Sequence, residues 1–108
     1  MQIYYQVTKL LRSKMPPPLP VVIRRIKMNE NEGYCLKKGQ KFDIRINKDL
    51  NETKTIDVLL HEWAHALTWK DLNLDELSDD EFRKTIHGPE WGIAYSKVYQ
   101  LFEKHFIE

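Results

Sequence analysis

The residues with the clearest chemical potential lie in the segment His61-Glu62-Trp63-Ala64-His65, which has the form H-E-x-x-H. Residues four apart on a helix lie one above the other, about 6 Å apart along the axis, so both imidazoles can converge on one metal ion. Glu62 projects in an adjacent direction and can reach a water at the metal without being a ligand. Zinc lowers the pKa of such a water towards about 7, and a carboxylate can accept its proton. The spacing therefore predicts a metal-dependent hydrolytic site.

A catalytic zinc site normally needs a third protein ligand, with water in the fourth position. The best candidate is His87, which lies 22 residues after His65 and is followed by Gly88-Pro89, a sequence that suits a helix start. Glu90 is a rival ligand, because His/His/Glu sites also exist. We assign Glu90 instead to a role beside a ligand or at the helix start, where a carboxylate suits the positive end of the helix dipole.

These residues also carry a resemblance to a known family. HEWAHALTW followed by HGPEWGIAYSKVY resembles the catalytic core of the SprT-like zinc metalloproteases, the family that includes Spartan, over about residues 56–99. The resemblance implies peptide-bond hydrolysis with one catalytic Zn²⁺, with His61, His65 and His87 as zinc ligands and Glu62 as the general base. Many relatives carry a cysteine-rich zinc ribbon after this core, which one cysteine cannot form.

The elements of the first half follow from hydrophobic periodicity. Residues 2–14 have the spacing of an amphipathic helix, and the prolines that follow end it. Residues 21–28 and 34–37 are predicted strands, and residues 42–47 alternate apolar and polar side chains as a half-buried strand does. Short turns between them favour a mainly antiparallel meander.

The second half is predicted to be helical. The metal helix spans about residues 52–69 with Asn51 as N-cap, a capping box at Ser78 opens a short helix, and Pro89 begins the last one. The predicted fold is α+β, a small zincin-like domain over residues 1–108. It comprises an N-terminal helix, a three-stranded mainly antiparallel sheet, the H-E-x-x-H helix and a C-terminal helix.

Substrate is expected to meet the strand that precedes the metal helix. In zinc proteases built this way that strand binds peptide in extended form, so Phe42, Ile44 and Ile46 are assigned to substrate binding through a free sheet edge. A simple sheet edge is the alternative. Tyr95 and Tyr99 on the last helix are candidates for stabilising the oxyanion, with a core role as the alternative.

The composition limits the class of protein. With 31% charged and 11% aromatic residues, the chain is not expected to be disordered, and no run of eighteen apolar residues predicts a membrane span. The N-terminus lacks the pattern of a secretory signal, and the lone Cys35 cannot form an internal disulfide. A cytoplasmic location is therefore expected.

The charge is divided unevenly along the chain. Residues 1–48 carry eleven Lys and Arg against three acids, a net +8, whereas residues 49–108 have a net −7. Halves of opposite sign predict that an anionic partner such as DNA is steered to one side, and two solvated faces are the alternative. The acidic residues 70–86 form either a lid or a solvent-exposed loop.

Two rival functions fit the same sequence. Residues 32–36 are similar to the cysteine-ligand segment of peptide deformylases, which also use H-E-x-x-H, so a zinc amidase of deformylase type is the first. In that interpretation Cys35 is a zinc ligand, and otherwise it is a buried free thiol. The second is a nucleic-acid-binding domain with a structural zinc, whose basic first half contacts phosphates.

Overall fold

The computed structural model describes residues 1–71 and 77–107. Within them, four helices and three strands are α1 (Gln2–Lys14), β1 (Val21–Ile26), β2 (Gly33–Lys38), β3 (Lys41–Asn47), α2 (Glu52–Leu67), α3 (Asp79–Ile86) and α4 (Pro89–Phe106). This confirms the predicted α+β class and the order of a helix, three strands, the H-E-x-x-H helix and a C-terminal helix. No helix in the described ranges is both long enough and apolar enough to cross a membrane. Residues 72–76, within the acidic stretch, lie outside the described residues, so the choice between a lid and a solvent-exposed loop stays open.

The sheet differs from the predicted meander in its strand order. Strand β3 is central, paired in parallel with β1 and antiparallel with β2, so the sheet is mixed and its order is β1-β3-β2. A meander would place β2 in the middle, but β2 ends in the exposed Lys37 and Lys38. Strand β3 instead buries Phe42, Ile44 and Ile46 completely or nearly so. The most deeply buried strand takes the centre, where both of its edges are paired.

Asn47 holds the loop that makes this order possible. Its side-chain amide donates to the carbonyls of Met28 and Asn31 at 3.2 and 3.3 Å, and its backbone N–H donates to the Glu32 carbonyl at 2.8 Å. These bonds hold the loop between β1 and β2 across the end of β3. The chain therefore leaves β1 at one edge of the sheet and returns as β2 at the other.

The core lies between the inner face of the sheet and α2, with α1 and α4 packed on the same helix. Its fully buried side chains include Val7, Leu11, Ile44, Ile46, Leu59, Leu60, Trp63 and Val98. The Trp63 indole N–H also donates to the carbonyl of Met15 at 2.9 Å, which fixes the end of α1 against α2. Helix α2 is thus enclosed by packing, and the side chains that it presents have a rigid base.

Candidate metal centre

Helix α2 positions two of the three histidines. It begins at Asn51, whose side-chain oxygen accepts the backbone N–H of Lys54 at 2.9 Å, the N-cap bond that the sequence predicted. His61 and His65 lie four residues apart on a half-buried face, with ring centroids 4.9 Å apart. The i, i+4 spacing therefore places both rings side by side, as expected.

The third histidine lies at the junction of α3 and α4. At the start of α3, the Ser78 hydroxyl accepts the backbone N–H of Glu81 at 3.1 Å, which is the N-cap half of the predicted capping box. The helix ends at His87 as its C-cap residue. Helix α4 then starts with Gly88 as N-cap. The His87 Nδ1–H donates to the carbonyl of Arg83 at 3.2 Å, which fixes the tautomer and leaves Nε2 as an acceptor.

The three Nε2 atoms converge. That of His65 lies 3.2 Å from those of His61 and His87, and the candidate ligand atoms all lie within 4.8 Å of one another. A tetrahedral zinc site with Zn–N distances of about 2.0–2.1 Å separates neighbouring nitrogens by about 3.3 Å. A single proton on the His65 nitrogen cannot serve both neighbours as a donor. The donor set therefore fits a metal ion held by three imidazoles.

Burial favours the neutral form of the two imidazoles on α2, those of His61 and His65. It lowers the pKa of His65 to about 3, with His61 and His87 adding to the effect. Burial also lowers the pKa of His61, and His87 contributes. Neutral imidazole is the form that binds metal, so the environment prepares the rings for that role at neutral pH.

Glu62 is buried beside the histidines, with 6% of its surface exposed. Burial raises the pKa of its carboxyl group to about 7. Its side chain lines two cavities, of about 860 Å³ and about 650 Å³, which also share Gly33 and His61 in their walls. The two cavities therefore meet at the residue predicted to be the general base.

The predicted substrate residues on β3 require a correction. Strand β3 is paired on both sides, and Phe42, Ile44 and Ile46 are at most 1% exposed, so they cannot offer a free edge. The prediction was wrong because a pattern of alternating burial does not distinguish a central strand from an edge strand. The edge beside the histidines belongs to β2, whose residues 33–37 line the larger cavity.

The two tyrosines of α4 lie where the core borders the smaller cavity, and their predicted role at the oxyanion stays a prediction. Tyr95 and Tyr99 pack against the core and also line the smaller cavity. The ring of Tyr95 is 6.2 Å from that of His61. Burial raises the pKa of the Tyr95 hydroxyl, and Asp57 and Tyr99 add to the shift. Of the two, Tyr95 is therefore the one placed beside the metal candidates.

In the part of the chain that the structure describes, Glu90 makes no hydrogen bond or ion pair with a histidine. It is exposed and pairs with Lys70 at 3.5 Å, whereas the outer hydrogen bond of His87 goes to a backbone carbonyl. Glu90 therefore does not take the expected role of a hydrogen-bond partner beside a metal ligand. The alternative that we gave, a position at the helix start, is the one observed, because Glu90 lies in the first turn of α4.

Cys35 is a half-buried thiol on β2. Burial raises its pKa to about 12, and Glu62 and Asp43 add to the effect. It is not part of the histidine group that has the geometry to hold a metal ion. The deformylase-type ligand set therefore has no support in the described part of the chain.

The sequence did not single out Trp91, which contacts all three histidines. Its ring centroid lies 4.9 Å from that of His61, 5.3 Å from that of His65 and 5.0 Å from that of His87. The available signal was its position four residues after His87, which puts it one helical turn beyond the third ligand.

The fold and this site together define a zincin-like α+β domain, with H-E-x-x-H on one helix and a third histidine at the start of another. The model of the SprT-like family matches residues 2–106, essentially the whole chain, and the protein belongs to that family. Comparisons with curated proteins and with solved structures gave no match. Family membership and the histidine group together indicate a metalloprotease-like domain with a candidate metal site.

Proposed function

We propose that this protein is a zinc-dependent peptidase in which Glu62 is the general base. The observation that carries the proposal is the convergence of three Nε2 atoms beside a buried carboxylate, where two cavities meet. Zinc is the metal that a three-imidazole set with an open fourth position favours in hydrolytic sites. When bound there, it would supply Lewis acidity towards the peptide carbonyl and water.

The chain's own residues account for proton transfer. Glu62 takes a proton from the attacking water and later donates it to the nitrogen of the leaving amine. Its environment suits this exchange, because burial raises the pKa of its carboxyl group towards neutrality and a group near the working pH both accepts and releases a proton readily. Tyr95 is the proposed donor on the oxyanion side, since its ring lies beside that of His61.

The shape of the cleft supports a peptide as substrate. Strand β2 is an edge strand, so one row of its backbone N–H and C=O groups has no partner strand in the described sheet. An extended peptide pairing with that row would bind through its main chain, which tolerates many side-chain sequences. Leu36, Trp69 and Phe82 line the larger cavity alongside and supply apolar contacts. This proposal moves the substrate strand from β3 to β2.

The mechanism is tested by Glu62→Gln, which keeps the size of the side chain and removes its basicity. We expect the variant to retain zinc while peptide cleavage falls about 10²–10⁴-fold, the contribution of a general base. Zinc content by elemental analysis and cleavage of an unfolded protein such as casein measure the two properties. Glu103→Gln, near the C-terminal end of α4, is the matched control. It should keep both the zinc content and the peptide cleavage. Full peptide cleavage by Glu62→Gln would contradict the role of Glu62 as general base.

We also propose DNA as a binding partner, at the face of the sheet that is turned away from α2. On that face Arg24 is in register with Arg45, and Lys38 with Lys41. Like charges directly opposite each other destabilise a sheet. Asp43 pairs with Lys38 and Arg45 and offsets part of this charge. The remaining positive charge favours a polyanion, and DNA binding would bring the peptidase to DNA-associated substrates.

A further inference from the structure

The three histidine rings share one aromatic neighbour. Trp91 stacks on His65 with an interplanar angle of 29°, meets His87 edge-on at 85°, and approaches His61 at 60°. All three centroid distances lie between 4.9 and 5.3 Å, within the range of favourable aromatic contact. One side chain from α4 is therefore in contact with every candidate ligand.

The rings of His61 and His65 lack the usual means of orientation. A metal-binding histidine normally donates its second ring N–H to a carbonyl or carboxylate, as His87 does to Arg83. Across residues 1–71 and 77–107, the polar contacts of the His61 and His65 rings involve Nε2 alone. Among the described residues, the contacts that orient these two rings are therefore packing contacts.

Trp91 is itself held firmly enough to provide that packing. Tyr95 stacks on it at 5.1 Å and 19°, and Tyr99 stacks in turn on Tyr95 at 6.3 Å. The indole Nε1 is buried, and within the described residues it has no hydrogen-bond partner. An unpaired buried donor costs free energy, so ring contacts and not a hydrogen bond hold the indole in place.

We propose that Trp91 is a positioning residue, whose ring holds His61 and His65 in the orientation at which their Nε2 atoms converge with that of His87. This inference rests on the proposed function, because it takes the histidine triad to be the metal site. The first turn of helix α4 would then make two contributions: it directly follows His87, and its Trp91 ring orients the other two ligands. Without the ring, both imidazoles would gain rotational freedom and the triad would lose its fixed geometry.

The test is the zinc affinity of Trp91→Ala, Trp91→Leu and Trp91→Phe, measured by competition with a chromophoric chelator. We expect the alanine variant to bind zinc about 10–100-fold more weakly, the usual cost of losing a group that orients a ligand. Leucine keeps much of the apolar volume without a planar ring, so it should lose affinity as well while preserving the fold. Phenylalanine keeps a planar aromatic ring, smaller than the indole and without its unpaired N–H, so it should restore most of the affinity.

A spectroscopic readout distinguishes positioning from general stability. The visible absorption of Co²⁺ bound in place of zinc depends on coordination geometry, so it should change in the alanine and leucine variants and return in the phenylalanine variant. Phe106→Ala removes a ring from the far end of the aromatic row on α4 and is the matched control. It should lower the melting temperature but leave the zinc affinity and the Co²⁺ spectrum unchanged.

Two results would overturn the inference: unchanged zinc affinity and Co²⁺ spectrum in Trp91→Ala and Trp91→Leu, or a phenylalanine variant as weak as the alanine variant. The second would mean that a planar aromatic ring at this position is not sufficient to orient the histidines. Failure of the proposed function is a separate outcome. It would show as an unsubstituted protein that binds zinc through the triad but cleaves no peptide, and in that case the affinity comparison still decides the role of Trp91.

Discussion

Three side chains competed for the role of third metal ligand, and one of them, Glu90, pairs with Lys70 instead. Nε2 of His87 lies 3.2 Å from that of His65, whereas Cys35 stands outside the histidine group. Zinc binds the thiolate form of cysteine, and burial beside Glu62 raises the pKa of this thiol to about 12. For the residues that the structure describes, the geometry therefore supports His87 and not Cys35 as the third ligand.

Comparison of His87→Ala with Cys35→Ser tests this choice. We expect His87→Ala to lose most of its zinc on dialysis against a weak chelator, because two imidazoles on one helix leave the metal incompletely held. Cys35→Ser should retain the zinc content of the unsubstituted protein. Elemental analysis after dialysis is the measurement. Zinc lost only from the cysteine variant would instead support the amidase.

The candidate ligands were predictable from the sequence because their spacing is local. His61 and His65 are brought together by one helical turn, and His87 belongs to a short motif that opens a helix. Trp91 was not predicted to act on them, because its contacts join α2 to α4 and depend on how two distant helices pack. Local periodicity carries no information about that packing.

Among the elements, β2 is the one whose position matters most for the site. The sequence predicted all three strands, but the order β1-β3-β2 depends on which strand buries both of its edges. Gly33 shows how tightly β2 is placed. A Cβ there would come within 2.6 Å of Val58 Cγ1 on α2 and 2.8 Å of the Arg45 carbonyl oxygen on β3. A glycine at this position lets the edge strand lie close to the metal helix.

Gly33→Ala should therefore destabilise the protein, by about 1–3 kcal/mol, the usual cost of overpacking. Urea unfolding measures this change in the free energy of unfolding. Gly92 in α4 provides the matched control, because a Cβ there meets no atom within 4 Å. Gly92→Ala should stabilise the protein by up to about 1 kcal/mol through helix propensity. Equal stability of Gly33→Ala and the unsubstituted protein would show that β2 can move away from α2 at little cost.

At the scale of the whole molecule, the near-neutral net charge is the sum of a basic first half and an acidic second half. The basic half of the sequence builds α1 and the sheet, and the acidic half builds α2 to α4. The like-charged pairs on the outer sheet face turn this sequence asymmetry into a local surface property. The sequence predicted the asymmetry but not the register that places cations opposite one another, since register depends on strand order.

The proposed DNA contact makes a prediction about salt. The logarithm of the binding constant for a short duplex should fall linearly with the logarithm of salt concentration, and Arg24→Ser should reduce the slope by about one if Arg24 contacts a phosphate. Lys104→Ser, on exposed α4, is the control and should leave the slope unchanged. Fluorescence anisotropy at several salt concentrations gives the slope. An identical slope for Arg24→Ser and the unsubstituted protein would contradict binding at this face.

The parallel pairing of β1 with β3 also constrains the order in which the chain folds. Strands β2 and β3 are joined by a tight turn at Gly39, whose φ of 61° suits glycine, so their hairpin closes a short loop. In the sequence, β2 lies between β1 and β3. Pairing β1 with β3 therefore closes a longer loop than the hairpin does, and it costs more chain entropy. We therefore expect β1 to dock after the hairpin has formed, and the Asn47 hydrogen bonds to form with it. The edge strand proposed to meet substrate would then fold before the sheet that supports it is complete.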